Sequence, residues 1–213
     1  MKIAILTSRN QWFIPYAKKL QNRIVGSDLF YNHKNIDSSY NIVFILGYHS
    51  IIEQEYLHKH NHNIVVHESD LPNGKGWAPM FWQIIENKNE IIFSMFEASV
   101  DVDDGDVYMK KTLTFSGLEL NNELREKQAN FTIEMCLEFM NNYHKYKIPI
   151  KQLGTETFYS KRTAKDSKLD INKTIKEQFN LLRIVDNESY PAFFYKDNKK
   201  YILKIEEVNN ENR

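Results

Sequence analysis

Cysteine is almost absent from this chain: Cys136 is the single one among 213 residues. One thiol cannot form an intramolecular disulfide or a cysteine-rich metal site, which points to a reducing, cytoplasmic setting. Net charge is absent too, with 28 basic residues set against 28 acidic ones. No Lys/Arg block breaks that balance, so neither nucleic acid nor an anionic membrane is expected as a partner. No apolar run approaches the roughly 18–20 residues that a helix needs to cross a bilayer. The opening residues 1–8 turn polar too soon for a secretion signal and read as a first strand. There is no internal repeat and no low-complexity tract. What is present is enough chain for one sizeable core.

Short β-branched runs at residues 3–6, 42–46 and 63–66 predict buried strands, with a further short one at 28–31. Trp12, Tyr16, Leu20 and Ile24 recur at helical spacing, Pro15 sits where a first turn tolerates it, and residues 51–60 also predict a helix. This alternation predicts the α/β class, with a Rossmann-like, mostly parallel sheet. Residues 79–87 predict a compact helix, and 90–96 and 106–114 two strands pairing antiparallel across an acidic turn. A long helix follows over 118–143, carried by Leu120, Leu124, Phe131, Met135, Phe139 and Tyr143 and stopped before Pro149. Beyond it, 152–170 is polar and punctuated, 174–185 predicts a short helix, and 193–205 a hairpin. We therefore divide the chain into a catalytic domain, 1–149, and a helix-plus-hairpin appendage, 150–213. Residues 209–213 are expected to fray. A two-stranded ribbon this apolar is marginal alone, so it is expected to pack on its own core or on a twofold-related copy, as in a homodimer.

The stretch from residue 65 to 106 carries the chemistry. A buried strand ends at His67-Glu68-Ser69, a Pro/Gly-punctuated loop runs through Leu71-Pro72 to Gly76-Trp77, and the acidic turn holds Asp101, Val102, Asp103, Asp104, Gly105 and Asp106. In open α/β sheets ligands bind beyond the carboxyl ends of such strands. If the strands are neighbours, a carboxylate of the turn can orient the His67 imidazole, which is the skeleton of an acid–base site. Each residue also has a plainer reading. Asp103 stands among five acids between 97 and 106, where Asp and Gly favour turns anyway. A run of adjacent carboxylates lacks dedicated ligand spacing, so no metal is expected there. His58, His60 and His62 read as a helix-to-strand turn rather than a metal tract.

The motif His67-x-Ser69-x-Leu71-Pro72, then Gly76, then Asp103-x-Gly105-Asp106 36 residues after the histidine, resembles the N10-formyltetrahydrofolate-dependent formyltransferases. The resemblance covers roughly residues 1–145. It extends more weakly through Tyr159-Ser160-Lys161-Arg162-Thr163 and Leu182-Arg183 to Tyr190-Pro191-Ala192-Phe193, which look like members that formylate an amino group on a nucleotide-linked sugar. The glycinamide ribonucleotide branch carries a Gly-rich first turn, whereas here that turn is Thr7-Ser8-Arg9-Asn10-Gln11-Trp12. The methionyl-tRNA branch carries a sizeable nucleic-acid-binding domain, whereas about sixty residues follow Pro149 here. Glu68-Ser69-Asp70-Leu71-Pro72 with Gly76-Trp77-Ala78-Pro79 is similar to enzymes of nonulosonic (pseudaminic) acid pathways.

The resemblance implies N10-formyltetrahydrofolate as formyl donor, a nucleotide-linked amino sugar as acceptor, and no metal. His67 takes the place of the family's histidine and Asp103 that of its aspartate. Leu46, Gly47, Tyr48, Asp101 and Val102 fall where the family grips the folate. Ser8, Arg9 and Asn10 would face the acceptor, Lys75 and Arg162 its diphosphate, and Trp77 and Tyr159 its base or sugar. One position departs. The family carries an asparagine two residues before the histidine, and this chain has Val65. Asn63 shares that face but lies about 13 Å along the strand from His67, so another donor, Ser69 among the candidates, would have to replace it. The competing reading is a non-catalytic folate- or nucleotide-binding protein, or a formyltransferase for another amine.

Overall fold

The computed structural model describes residues 1–208; the tail expected to fray lies outside the described residues. Runs such as IAIL and IVFI have no polar side, so they stay strands only where both sheet faces are covered. They form β1 (Ile3–Leu6) and β3 (Ile42–Ile45), every residue buried. With β2 (Ser27–Phe30) and β4 (His62–His67) they make a parallel four-stranded unit. A parallel step needs a crossover. The first is α1 (Ile14–Arg23), entered through Pro15. The helix expected over 51–60 forms only at α2 (Gln54–Leu57), because little of the segment faces the core: Tyr56, Leu57 and His60 are buried while Ile51 is 88% exposed.

After the short β5 (Lys75–Gly76) and α3 (Pro79–Ile85), β6 (Glu90–Glu97) returns antiparallel to β4, and β7 (Val107–Thr114) pairs antiparallel with β6. The sheet order is β2-β1-β3-β4-β6-β7. The predicted mostly parallel sheet and the antiparallel pair across the acidic turn are both present.

Strand periodicity sorts the side chains. Ile3, Ile5, Ile42, Phe44 and Ile64 face the larger core, under α1, α3 and the long α4 (Asn121–Asn141). Ala4, Leu6, Val43 and Ile45 face the thinner one, which also receives Val65. The same alternation puts Asn63 and His67 on the thinner face.

The chain then continues through α5 (Tyr143–Tyr146), β8 (Phe158–Tyr159), α6 (Phe179–Ile184) and the hairpin β9 (Ala192–Lys196) and β10 (Lys199–Leu203). The hairpin packs on the chain's own core, through Ala192, Phe194 and Leu203 against Leu169, Leu182 and Val185. Residues just past the 149/150 boundary are threaded into the first part: Ile150 bridges Val107, and β8 pairs with β5.

One buried ion pair fastens α6 beneath the start of α4. Arg183 is fully buried and donates to Asn180 Oδ1 (3.0 Å), Glu119 Oε2 (3.2 Å) and Asn89 Oδ1 (2.7 Å). Burial alone would raise the Glu119 carboxyl, but Lys127 and the Ser116 N–H outweigh it and hold it at about 2. Arg183→Met should therefore cost about 1.5–3 kcal/mol in urea unfolding, since it removes the charge-assisted contact to Glu119 and the donor to Asn89, while Lys127 still pairs the carboxylate. A depressed folded-state pKa adds stability above the ordinary carboxylate value that disappears as pH falls towards about 2. Acid unfolding of the native protein should lose this increment between about pH 5 and 2, and Glu119→Gln should flatten that limb. A cost under 1 kcal/mol for Arg183→Met would show that the pair does not fasten the helix.

Candidate active site

The strand order reverses between β1 and β3, the switch point at which the carboxyl ends of two neighbouring strands diverge and leave a crevice. The loops leaving those strands are tied to each other. The Ser8 N–H donates to Gly47 O (3.3 Å), and the His49 N–H to Ser8 Oγ (2.9 Å). Gly47 is left-handed, at φ +61°, a backbone conformation that glycine adopts without strain. Ser8, Arg9, Asn10, Leu46, Gly47 and Tyr48 are thus gathered at one crevice. Arg9 lies over Tyr31 (5.1 Å), and the Tyr48 hydroxyl is 2.8 Å from His33 Nδ1.

His67 ends β4 beside this crevice and is 7% exposed. Its Nε2 lies 2.9 Å from the Gly74 carbonyl oxygen. A carbonyl only accepts, so the network assigns the ring proton to Nε2 and leaves the lone pair on Nδ1. Nδ1 has no hydrogen-bond partner among the described residues and is not sealed from solvent. The Asp103 carboxylate stands 3.6 Å from Nε2 and also accepts the Gly76 N–H at 2.8 Å. Histidine and aspartate therefore meet, as the sequence spacing anticipates.

The acidic loop is held in place from three sides. Asp103 is left-handed at φ +55°. Gln152 Nε2 donates to Asp103 O (2.9 Å) and Gly105 O (2.8 Å). A Cβ at Gly105 would fall 1.5 Å from Glu97 O, which explains the glycine of Asp-x-Gly. Lys75 supplies the third hold, and here the expectation of a diphosphate contact meets a different placement. The side chain is 2% exposed, and Nζ donates to Asp104 (2.5 Å) and Glu156 (2.7 Å). Burial opposes its charge, yet the two carboxylates outweigh burial and raise the ammonium above its ordinary value. Lys75 is a clamp on the loop and presents no free cation to a ligand.

The remaining candidates spread around the same rim. Val102 is 68% exposed and Asp101 is exposed, its carbonyl accepting Ser99 Oγ. Trp77 is 47% exposed, 6.3 Å from the His49 ring. The Tyr159 ring lies parallel to Trp82, and its hydroxyl donates to Glu86 (2.8 Å). Arg162 leans on Trp82 at 5.8 Å. Neither polar neighbour of the Val65 position reaches the ring. Asn63 is 1% exposed with its Nδ2 on Leu57 O (2.8 Å) and Glu97 Oε1 (3.2 Å). Ser69 is 1% exposed, its hydroxyl sealed and without a partner among the described residues, which removes it as the replacement donor in this arrangement. The Gly74 carbonyl, Gln152 and Glu156 belong to the site or its frame and escaped the sequence reading. A cavity of about 950 Å³, lined by Leu57, His60, His62, Glu97 and Asp101, borders the rim at Asp101 and includes neither His67 nor Asp103. Among the described residues there is no cluster of metal-ligating side chains, and no helix is long and apolar enough to cross a membrane.

The six-stranded, mostly parallel sheet matches the formyltransferase fold. The methionyl-tRNA formyltransferase from Clostridium thermocellum superposes with a TM-score of 0.81 at 20% identity, covering 99% of this chain and 95% of that one. HypX from Aquifex aeolicus in complex with tetrahydrofolic acid gives 0.77 at 17%, covering 96% and 37%. A sugar N-formyltransferase from a Shewanella species gives 0.69 at 16%, covering 98% and 99%. In sequence, the methionyl-tRNA formyltransferase of Thermosipho melanesiensis is 34% identical over 122 residues, covering 57% of this chain and 39% of its own length. That of Rickettsia massiliae is 26% identical over 170 residues, covering 79% and 56%. This chain therefore spans about two-fifths to just over half the length of those curated relatives. No family model matches. In fold and in sequence the chain is a relative of the formyltransferases.

The clamp makes a direct test. Lys75→Met removes two charge-assisted hydrogen bonds, each worth about 1.5–3 kcal/mol. Amide exchange over residues 101–106 should speed up at least about tenfold while the core strands keep their protection. Unchanged exchange in the loop would mean that Gln152 and Gly105 hold it without Lys75.

Proposed function

We propose that this protein moves a formyl group from N10-formyltetrahydrofolate to an amino group of a nucleotide-linked deoxyamino sugar, as surface-glycan or nonulosonic (pseudaminic) acid synthesis requires. The observation that carries the reading is the His67–Asp103 approach of 3.6 Å, at the switch-point end of a formyltransferase fold. The folate fits the rim. The turn 46–48 offers backbone groups, and Val102 is an apolar side chain without cover, facing solvent from the opposite loop. The donor supplies an activated formyl carbon on N10. One C–N bond forms to the acceptor amine, the bond to N10 breaks, and one proton passes from the amine to N10.

The chain's residues then have defined tasks. With Nε2 held by Gly74, the Nδ1 lone pair of neutral His67 takes a proton from the acceptor nitrogen. The imidazolium so formed is balanced by Asp103 and can donate from Nδ1 towards the oxyanion or the leaving nitrogen. Val65 offers no hydrogen bond, so backbone N–H groups or solvent complete the oxyanion's partners. The sugar acceptor is favoured by zero net charge and by the Tyr159-to-Arg162 segment at the rim; solved structures that match end to end include both a sugar N-formyltransferase and a methionyl-tRNA formyltransferase. The sequence relatives named for methionyl-tRNA support a second acceptor, tested in parallel.

The protein should be incubated with N10-formyltetrahydrofolate and UDP-, dTDP- and GDP-linked amino sugars, beside charged initiator tRNA. Mass spectrometry should find one added formyl group on a sugar nucleotide. His67→Ala should lower the rate about 10²–10⁴-fold, and Asp103→Asn should lower it with the fold unchanged. Formylation of the tRNA alone would replace the sugar reading. Tight folate binding with no product on any amine would replace the enzyme by a binding protein.

A further inference from the structure

Arginines in this protein are handled in two ways. Arg183 is fully buried and spends its guanidinium on three polar partners. Arg125, in the first turns of α4, is half-buried yet donates no hydrogen bond to any described residue and joins no ion pair. Its guanidinium carbon sits 4.3 Å from the Trp12 ring and 4.5 Å from the Phe81 ring. Ring faces balance the charge without using an N–H, so all five donors stay available.

Arg162 stands alongside. It leans on Trp82, the residue after Phe81, and its one hydrogen bond is long, Nη2 to Asp166 O at 3.4 Å. Its Nε is sealed from solvent with no partner among the described residues, an expensive state for a donor. The two cations are within electrostatic reach of each other: burial pulls Arg125 down to about 10, Glu68 and Asp186 oppose that fall, and Arg162 adds to it. Both carboxylates are otherwise engaged. Glu68 accepts Gln128 Nε2 at 2.5 Å, and Asp186 accepts the N–H groups of Glu188 and Ser189 at 2.9 Å each.

The pair stands close to the chain segment that carries the histidine. Glu68 directly follows His67, and Gln83 of α3 donates to the Glu68 carbonyl at 2.7 Å. Trp12 follows the β1 turn that carries Ser8, Arg9 and Asn10. Arg125 therefore lies on the α1, α3 and α4 side of the sheet, near the residue that follows His67, and Arg162 leans on the next residue of α3. Planar forks with free N–H edges match phosphate oxygens.

We infer that Arg125 and Arg162, held against Trp12, Phe81 and Trp82, form the seat for the diphosphate of the acceptor. The inference rests on the nucleotide-sugar reading above and assigns to Arg125 and Arg162 the task that the buried Lys75 does not perform. A bound diphosphate supplies acceptors for the free donors of both side chains, and the aromatic walls keep the cations in place between turnovers.

Direct binding tests it apart from turnover. Isothermal titration of the full-length protein with UDP, dTDP and inorganic pyrophosphate should show binding that weakens with salt. Arg125→Gln and Arg162→Gln should each weaken it about 10–100-fold, while His67→Ala should not. Arg125→Lys keeps the charge and most of the packing but loses the fork, and should recover part of the affinity with an unchanged melting temperature. A parallel titration with 5-formyltetrahydrofolate should be indifferent to both glutamine variants. Nucleotide affinity unchanged in both variants, or no binding of any diphosphate by the wild type, overturns the inference. Loss of folate binding with nucleotide binding intact also overturns it, since the seat would then serve the folate's carboxylates. Arginine-dependent diphosphate binding without formyl transfer would uphold the seat and reject the proposed reaction. Formyl transfer to a sugar nucleotide with a KM indifferent to both variants would do the reverse.

Discussion

The contact on which the site depends is the one between His67 Nε2 and the Gly74 carbonyl oxygen, 2.9 Å long. It commits one ring nitrogen and so decides what the other can do. It exists because the chain turns back sharply after Leu71-Pro72 and runs left-handed at Gly74, φ +80°, where a Cβ would press to 2.9 Å on Ser69. Only glycine lets the backbone come that close to the strand end. Asp103 then adds charge on the same side of the ring, and its second task, accepting the Gly76 N–H, locks the two loops together. Tautomer, loop register and the position of the carboxylate are thus one constraint expressed three times.

That knot would be soft if loops alone made it. It is stiffened by residues from beyond the long helix. Glu156 shares the Lys75 ammonium with Asp104, Gln152 holds two carbonyls of the acidic loop, and β8 adds a strand to β5. The segment 150–159 therefore belongs physically to the site, although composition changes character at Pro149. Burying an ammonium costs several kcal/mol unless it is paired, and the pairing here is spent on positioning the carboxylate neighbour of His67.

The central architecture was legible because it rests on local rules. All-apolar four-residue runs fit interior parallel strands, and the acidic turn leaves a strand that pairs with β4, which brings a carboxylate to His67, whereas the choice of Asp103 among the acids of that turn came from the family motif. The α4 stripe of Leu124, Met135 and Phe139 was legible for the same reason. What escaped is what side-chain partnership decides. Nothing in the letters at 75 says that Lys75 will be enclosed by Asp104 and Glu156, the latter 81 residues away. Nothing at 125 says that one arginine of α4 will be left without a partner while Arg183 gains three. The helix expected over 51–60 shortens to α2 because burial reaches only part of the segment. Val65 is legible as a departure from the family, yet its consequence depends on Asn63, which spends its amide on Leu57 and Glu97, and on Ser69, whose hydroxyl is sealed without a partner among the described residues.

The most direct test is the protonation pattern of His67 itself. Nitrogen-15 NMR of the imidazoles, with the His67 signals assigned by their loss in His67→Gln, reports which nitrogen carries the proton in the neutral ring. We expect the proton on Nε2 of the neutral ring, with Nδ1 showing the shift of a bare lone pair. A proton on Nδ1, or rapid averaging between the two nitrogens, would mean that the Gly74 carbonyl does not set the tautomer, and the assignment of Nδ1 as the reacting nitrogen would fall with it.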